Sequence, residues 1–387
     1  MARLCEPALC TGCTACASAC PSECIVMQPD AEGFLRPRIE ESRCRDCGLC
    51  TRACPVLSAP PRGGSPRAYA AKNRDEDTRA ASTSGGVFSL LARRVLEEGG
   101  AVAGAVFDAD FRVVHQIITQ PELLYRLRGA KYAQSDLTDV FPQVKALLAQ
   151  GRRVLFSGTP CQVSGLRSFL GQDDPNLLLV DLVCHGVPSP QVWEQYLSRR
   201  CEELAEGQRP VSVNLRSKET GWSTYSVDIR WPYGKRYTAR NRQDPFLRAF
   251  VGDLCLRPSC HRCACKGLTR CADFTLGDFW GVGAQAPSFH DDKGTSIVLV
   301  HTEKAAALWA ELAPQLVTQE VDARRCMEQN PAALRSAPLD EEARTLFLHR
   351  FRQEELSLLA DELLPQPSAA SDLARRLAGK LRRMLKH

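Results

Sequence analysis

The sequence predicts two joined architectures: an α+β unit over residues 1–57 and a mixed α/β unit over residues 67–362. Three observations predict them. Ten of the nineteen cysteines fall before residue 55, the run "CTGCTACASACP" at residues 10–21 returns as "CRDCGLCTRACP" at residues 44–55, and beyond residue 66 short apolar runs alternate with helical stretches. At 387 residues, with 44% hydrophobic and 25% charged residues, the chain can bury a sizeable core.

Each cysteine run has spacings of 2, 2 and 3 and ends in proline, which is the bacterial ferredoxin pattern. In that pattern three thiolates grip one 4Fe-4S cubane and the fourth reaches across to the other. The rule assigns Cys10, Cys13, Cys16 and Cys54 to one cluster and Cys44, Cys47, Cys50 and Cys20 to a second. Structural zinc more often uses separated C-x2-C pairs. Cys5 and Cys24 fall outside the pattern, and Cys24 is expected to be a small packed side chain. The segment "SAPPRGGSP", residues 58–66, is a proline- and glycine-rich linker.

The larger unit opens with "AYAAKN" as a strand, then "STSGGVFSLLARRVLEEGG" as a helix with a Ser/Thr cap and a Gly-Gly stop. "AVAGAVFDADFRVVHQIIT" reads as a hairpin turning at Asp108 to Asp110. "LTDVFPQVKALLAQG" reads as a helix despite Pro142, "RRVLFSG" as a buried strand, "PCQVSGLRSFLG" as a helix and "NLLLVDLVC" as a strand. Further strands are expected at Val211 to Lys218, Ser223 to Trp231 and Ser296 to Thr302.

Ligands of α/β folds bind at strand carboxyl ends. Cys161 and Cys184 each follow a predicted strand there, and "DLCLRPSCHRCACKGLTRCADFTLGDFWG" adds Cys255, Cys260, Cys263, Cys265 and Cys271. On spacing alone a structural zinc and a third iron-sulfur cluster stand equal, and Cys161 with His185 as its base is a third alternative.

The charge of +5 is too mild for a general nucleic-acid surface. Residues 1–25 lack a signal-like apolar core and no apolar run approaches about 18 residues, so a reducing, cytoplasmic setting is expected. Residues 368–387 carry a basic amphipathic pattern, read either as a packed final helix or as a peripheral contact for an anionic membrane or acidic partner.

"TSGGVFSLLA", "GAKYAQS", "FSGTPCQVSGL", "VDLVCHGVPSP", "RSKETGW", "LRPSCHRC" and "DFTLGDFWG", in this order, resemble the coenzyme F420 hydrogenase/dehydrogenase beta-subunit family, with a two-cluster ferredoxin fused ahead. The resemblance covers roughly residues 5–350. It implies a flavin-binding α/β domain holding FAD, a 4Fe-4S cluster beside the flavin on Cys161, Cys184, Cys260 and Cys263, and exchange of electrons between a hydride-carrying small molecule and a redox protein partner such as a ferredoxin or another oxidoreductase subunit. Cys255, Cys265 and Cys271 exceed that ligand set. The Gly-Gly pair at a helix start suits a pyrophosphate near Ser84, Gly85 and Gly86, although the same residues alone more often make only a cap. Lys131, Gln134 and Ser135 are the remaining candidate flavin contacts, with Lys131 as a cation for the reduced ring. The alternative is a relay subunit that feeds a separate catalytic subunit.

Overall fold

The computed structural model describes residues 3–364; the predicted basic tail helix lies outside the described residues. In the amino-terminal unit, strands β1 (Ile25–Pro29) and β2 (Leu35–Ile39) form an antiparallel hairpin flanked by one-turn helices Ala15–Ser18 and Leu49–Arg52. Each short helix carries the third cysteine of its run. So little regular structure cannot supply a large core, and the apolar cluster here is built around Cys24, Ile25 and Cys50. Cys24 is 2% exposed, in keeping with a packed small side chain.

The large sheet comprises β3 (Arg67–Asn73), β4 (Ala101–Phe107), β5 (Val113–Ile118), β6 (Val154–Gly158) and β7 (Leu177–Leu182). A separate sheet holds β8 (Ser212–Ser217), β9 (Ser226–Arg230) and β10 (Arg236–Arg240), and β11 (Phe274–Asp278), β12 (Ser296–Val300) and β13 (Leu316–Val321) return to the first. The large sheet runs β13-β3-β12-β11-β7-β6-β4-β5. Strands β11, β7, β6 and β4 are parallel, and the remaining pairings are antiparallel. Continuous apolar runs such as "VLFSG" are what a parallel strand covered on both faces requires, and β6 is buried throughout. Helices Val87–Glu97 and Glu303–Leu312 cover one face; Val140–Ala149 and Pro160–Leu170 cover the other.

The helix expected from Leu137 begins at Val140, with Asp139 preceding it in a left-handed conformation and making no side-chain cap. Pro142 is therefore in its first turn, where no intrahelical donor is lost. Strands β10, β11 and β13 were not predicted; β11, within "DFTLGD", is short and sits in a segment dominated by cysteine and glycine. The linker is strapped to the large domain: Gly63 donates to the Arg270 carbonyl at 2.8 Å and Arg62 to those of Ala264 and Lys266.

Candidate redox site

The carboxyl ends of β6, β7 and β11 share one edge of the sheet. After β6, Thr159 makes a capping box with Gln162 and Pro160 takes the first helical position, so Cys161 is fixed in the first turn of helix Pro160–Leu170. Its Sγ is 3.2 Å from the Thr159 hydroxyl. Cys184 lies two residues beyond β7, where Lys266 Nζ donates to the Cys184 carbonyl and to that of Ala332, both at 2.6 Å. Cys260 lies in the short turn Pro258–Arg262 and its Sγ accepts the Val187 N–H at 3.3 Å. Cys263 closes that turn.

All six pairs among Cys161, Cys184, Cys260 and Cys263 fall within electrostatic reach of one another. Burial, and then mutual repulsion, pushes Cys161 well above the ordinary thiol range; burial takes Cys184 up to about 12 and Cys260 to about 11. Cys263 is drawn down to about 6, chiefly by a hydrogen bond from Cys265. A buried thiol that resists ionisation is a poor nucleophile, which disfavours Cys161 as one. The set suits a metal centre that displaces the protons, with Lys266 and Arg270 offsetting charge near Cys184.

The three surplus cysteines separate. Cys255 is fully buried in the apolar core. Cys265 and Cys271 flank the site, with Sγ atoms 3.8 and 3.6 Å from Ser164 Oγ.

In the ferredoxin-like unit, Cys10, Cys13, Cys16 and Cys54 line one cavity, and each pair of them is within electrostatic reach. This is the grouping that the crossing rule gives. Cys5 lines it too; its hydrogen bonds to Cys10 and Cys54 draw those thiols down to about 5 and about 6. No spacing rule marks Cys5, so sequence reasoning passed over it. Of the second set, Cys20, Cys44 and Cys50 gather around Cys24, with Cys20 and Cys24 Sγ atoms 3.3 Å apart, whereas Cys47 is exposed. Among the described residues no three His, Cys, Asp or Glu side chains close on a single metal ion.

The first set rests against the helix that carries Cys161. A Cβ on Gly165, one turn beyond Cys161, would stand 2.8 Å from both Cβ and Sγ of Cys13, so only glycine permits this approach. Beside it Arg257, 1% exposed, donates through Nε to the Cys10 carbonyl (2.7 Å), through Nη1 to Gln134 Oε1 (3.0 Å) and through Nη2 to the Leu35 carbonyl (3.0 Å). Arg257 is three residues before Cys260, so one short segment both clamps the ferredoxin-like unit and supplies thiols. Arginine is usually a surface residue, and nothing in its sequence context marks Arg257 as buried.

Residues 68–141 match the model for the N-terminal part of the coenzyme F420 hydrogenase/dehydrogenase beta subunit, and residues 151–324 match the model for its C terminus. The chain belongs to this beta-subunit family. Residues 9–57 match a 4Fe-4S dicluster domain. Among solved structures, a chain of the F420-reducing NiFe hydrogenase complex from Methanosarcina barkeri is similar at 19% identity and a TM-score of 0.46, covering 70% of this chain and 91% of that one. No curated protein matches.

The family resemblance implies a flavin, and the candidate contacts are unequal. No side chain caps helix Val87–Glu97, leaving the amides of its first turn available to an anion. Ser84 donates to the Thr295 carbonyl and Gly85 N–H to Ser296 Oγ, both at 2.9 Å. A Cβ on Gly85 would meet the Ala71 carbonyl at 2.2 Å, so glycine here is required by the chain's own backbone, whatever binds beyond it. Gly86 provides the left-handed residue at the helix start. Lys131 Nζ is occupied by the carbonyls of Arg126, Arg128 and Gly129, and Gln134 Oε1 accepts from Leu35 and Arg257 while its Nε2 is buried without a partner. Ser135 joins His115 and Gln162. Arg216, which the sequence reading left without a role, is buried with Nε and Nη2 unpartnered. An orphaned guanidinium edge and an uncapped helix start are what an anionic dinucleotide would satisfy, so the residues fit the group.

Proposed function

We propose that this beta-subunit family member is an iron-sulfur flavoprotein oxidoreductase joining a hydride-carrying small molecule, of the deazaflavin F420 type or similar, to a redox protein partner. The observation that carries the reading is the meeting of Cys161, Cys184, Cys260 and Cys263, drawn from three separate segments, beside the first ferredoxin-like set. Bound FAD would supply the conversion between a two-electron hydride and single electrons, and three 4Fe-4S clusters would carry those electrons singly.

The chain's residues provide the order of that relay. The four thiols at the sheet edge hold the proximal cluster, and the helix Pro160–Leu170 supports it through Cys161 and receives Cys13 at Gly165. Arg257 fixes the Cys10 loop against the same segment and supplies positive charge next to the first ferredoxin cluster. Cys47 and the half-buried Cys44 place the second cluster towards solvent, where a protein partner docks.

The test is a cofactor inventory of anaerobically purified protein. About twelve irons with matching sulfide are expected from four thiolates per cubane, together with about one FAD per chain. About eight irons and one zinc would remove the proximal cluster. Full iron without flavin would leave an iron-sulfur protein with no means of taking a hydride; the relay-subunit alternative keeps both clusters and flavin, and the beta-subunit family description is its supporting observation. Reduction of an artificial acceptor by the isolated chain, with reduced deazaflavin or NAD(P)H, separates an enzyme with its own hydride site from a relay.

A further inference from the structure

Two motifs interlock at the strand ends. Asp278, which ends β11, accepts from Arg216 Nη1 at 2.6 Å and from Trp222 Nε1 at 3.0 Å. Trp222 stacks on Trp280 at 4.9 Å, and the Arg216 guanidinium lies 4.1 Å from the Tyr225 ring centroid and 5.4 Å from that of Trp280. Arg216 is thus held in position by a carboxylate and aromatic rings. One nitrogen is satisfied. The other two, Nε and Nη2, are buried without a partner at full hydrogen-bond distance; the Tyr132 hydroxyl offers only a long, weak contact and that of Tyr225 stands within electrostatic reach. Leaving such donors unmet is costly, and a fixed arginine with a free side-on edge matches a pair of planar acceptors.

Its surroundings say which acceptors. Lys218, two residues on, donates to the carbonyls of Arg79 (2.6 Å) and Ser84 (3.5 Å), tying the Arg216 segment to the loop before helix Val87–Glu97. In the other direction Tyr132 packs on Phe250 at 4.8 Å and Phe250 on His185 at 5.3 Å, which adjoins Cys184. Arg216 therefore lies between the uncapped helix start and the proximal thiols. Of the two cations considered for the ring, Lys131 has its ammonium engaged by three carbonyls and is drawn down to about 7 by burial. Arg216 keeps its charge under all ordinary conditions.

We infer that the free Nε and Nη2 edge of Arg216 receives the pyrimidine edge of the flavin, N1 and the C2 carbonyl. This rests on the flavin reading given under Proposed function. Uptake of a hydride, two electrons and one proton, leaves one negative charge on the ring, and the guanidinium stabilises that reduced form. Asp278 is a positioning residue that aims the arginine.

The test uses the full-length, anaerobically purified chain with Arg216→Gln and Arg216→Lys. The lysine variant keeps a cation for Asp278 and loses the fork, so it remains informative if the glutamine variant misfolds; iron content reports folding in both. Expected are FAD binding at least about tenfold weaker in both variants, the usual scale for a lost charged hydrogen-bond pair, and a flavin harder to reduce in Arg216→Gln than in wild type. Wild-type affinity and potential in both variants overturn the inference, as does a larger potential shift in Lys131→Met. Wild-type protein with its clusters but no flavin brings down the flavin reading and this inference together; flavin-loaded wild type with indifferent Arg216 variants brings down this inference alone.

Discussion

The two cysteine runs of the ferredoxin-like unit have the same spacing and opposite surroundings. Cys10 and Cys13 are buried against the large domain, held by Arg257 and fitted to Gly165. Cys47 is exposed and Cys44 only half-buried, and charged residues such as Glu41, Arg43 and Arg45 surround them. Ligand chemistry is thus separable from placement: spacing decides what a run can bind, while the neighbouring surface decides which way its cluster faces. One run is buried in a domain interface and the other is turned to solvent, and five variants can be set against that difference.

The largest effect is expected at Arg257. Replacing it with alanine leaves the Cys10 and Leu35 carbonyls and Gln134 Oε1 without their buried donor. At about 1–3 kcal/mol for each buried group left unpaired, the interface should weaken by about 3 kcal/mol or more. Protease cleavage within residues 58–66 should accelerate and thermal unfolding should split into two transitions. Glu32→Gln, which weakens the 2.5 Å ion pair of this partly exposed carboxylate with Arg344 at the edge of the same interface and leaves Arg344 bound to the Leu256 carbonyl, should cost less. Equal effects of the two variants would remove the distinction between clamp and rim.

Acid should act on the buried side through His115. Its Nδ1 is 2.8 Å from Ser135 Oγ and its Nε2 is 3.0 Å from the Ser157 carbonyl. The carbonyl can only accept, so Nε2 carries the proton and Ser135 donates to Nδ1; Gln162, in the first turn of the Cys161 helix, donates to Ser135. Burial lowers the His115 pKa from 6.5 to about 4. A folded-state value below the unfolded one makes the neutral form's contribution complete above pH 6.5 and progressively lost as pH falls towards 4. The full shift is worth about 3 kcal/mol. Thermal stability of wild type should fall more steeply over this range than that of His115→Gln. Parallel profiles would show that His115 is not the group titrated.

The dicluster domain was legible because iron-sulfur ligation imposes a local spacing, and the alternating strands and helices because each carries its own periodicity. Cys161, Cys184 and the Cys260–Cys263 pair were readable as strand-end thiols, but their convergence depends on sheet order, which no local pattern records. Arg257 and Arg216 were the least visible: an arginine becomes an interface clamp or a held cation only through residues far along the chain, such as Cys10 and Asp278. Lys131 and Gln134 lie inside a family motif and were read as ligand contacts; the Lys131 ammonium is engaged by backbone carbonyls and Gln134 Oε1 by Leu35, while Gln134 Nε2 stays buried without a partner. Short strands such as β11 escaped because tertiary pairing with β7 and β12, not propensity, makes them strands.

The smallest structural effect, and the sharpest functional one, is expected at Cys47. Because its side chain is exposed, Cys47→Ser removes no packing from the core. What it removes is one thiol of the set that the crossing rule assigns to the second cluster. Iron should fall from about twelve to about eight per chain if that cubane is lost, with the first ferredoxin cluster and the proximal cluster retained. Reduction of the remaining clusters by the hydride donor should continue at the wild-type rate, while transfer to a protein acceptor should be lost. Cys13→Ser makes the necessary contrast: the thiol lost there is buried beside Gly165, so both internal relay and domain docking should suffer. If Cys47→Ser instead slowed internal reduction and left the protein acceptor reaction intact, the second cluster would lie on the inward side of the path and the order of the relay would be reversed.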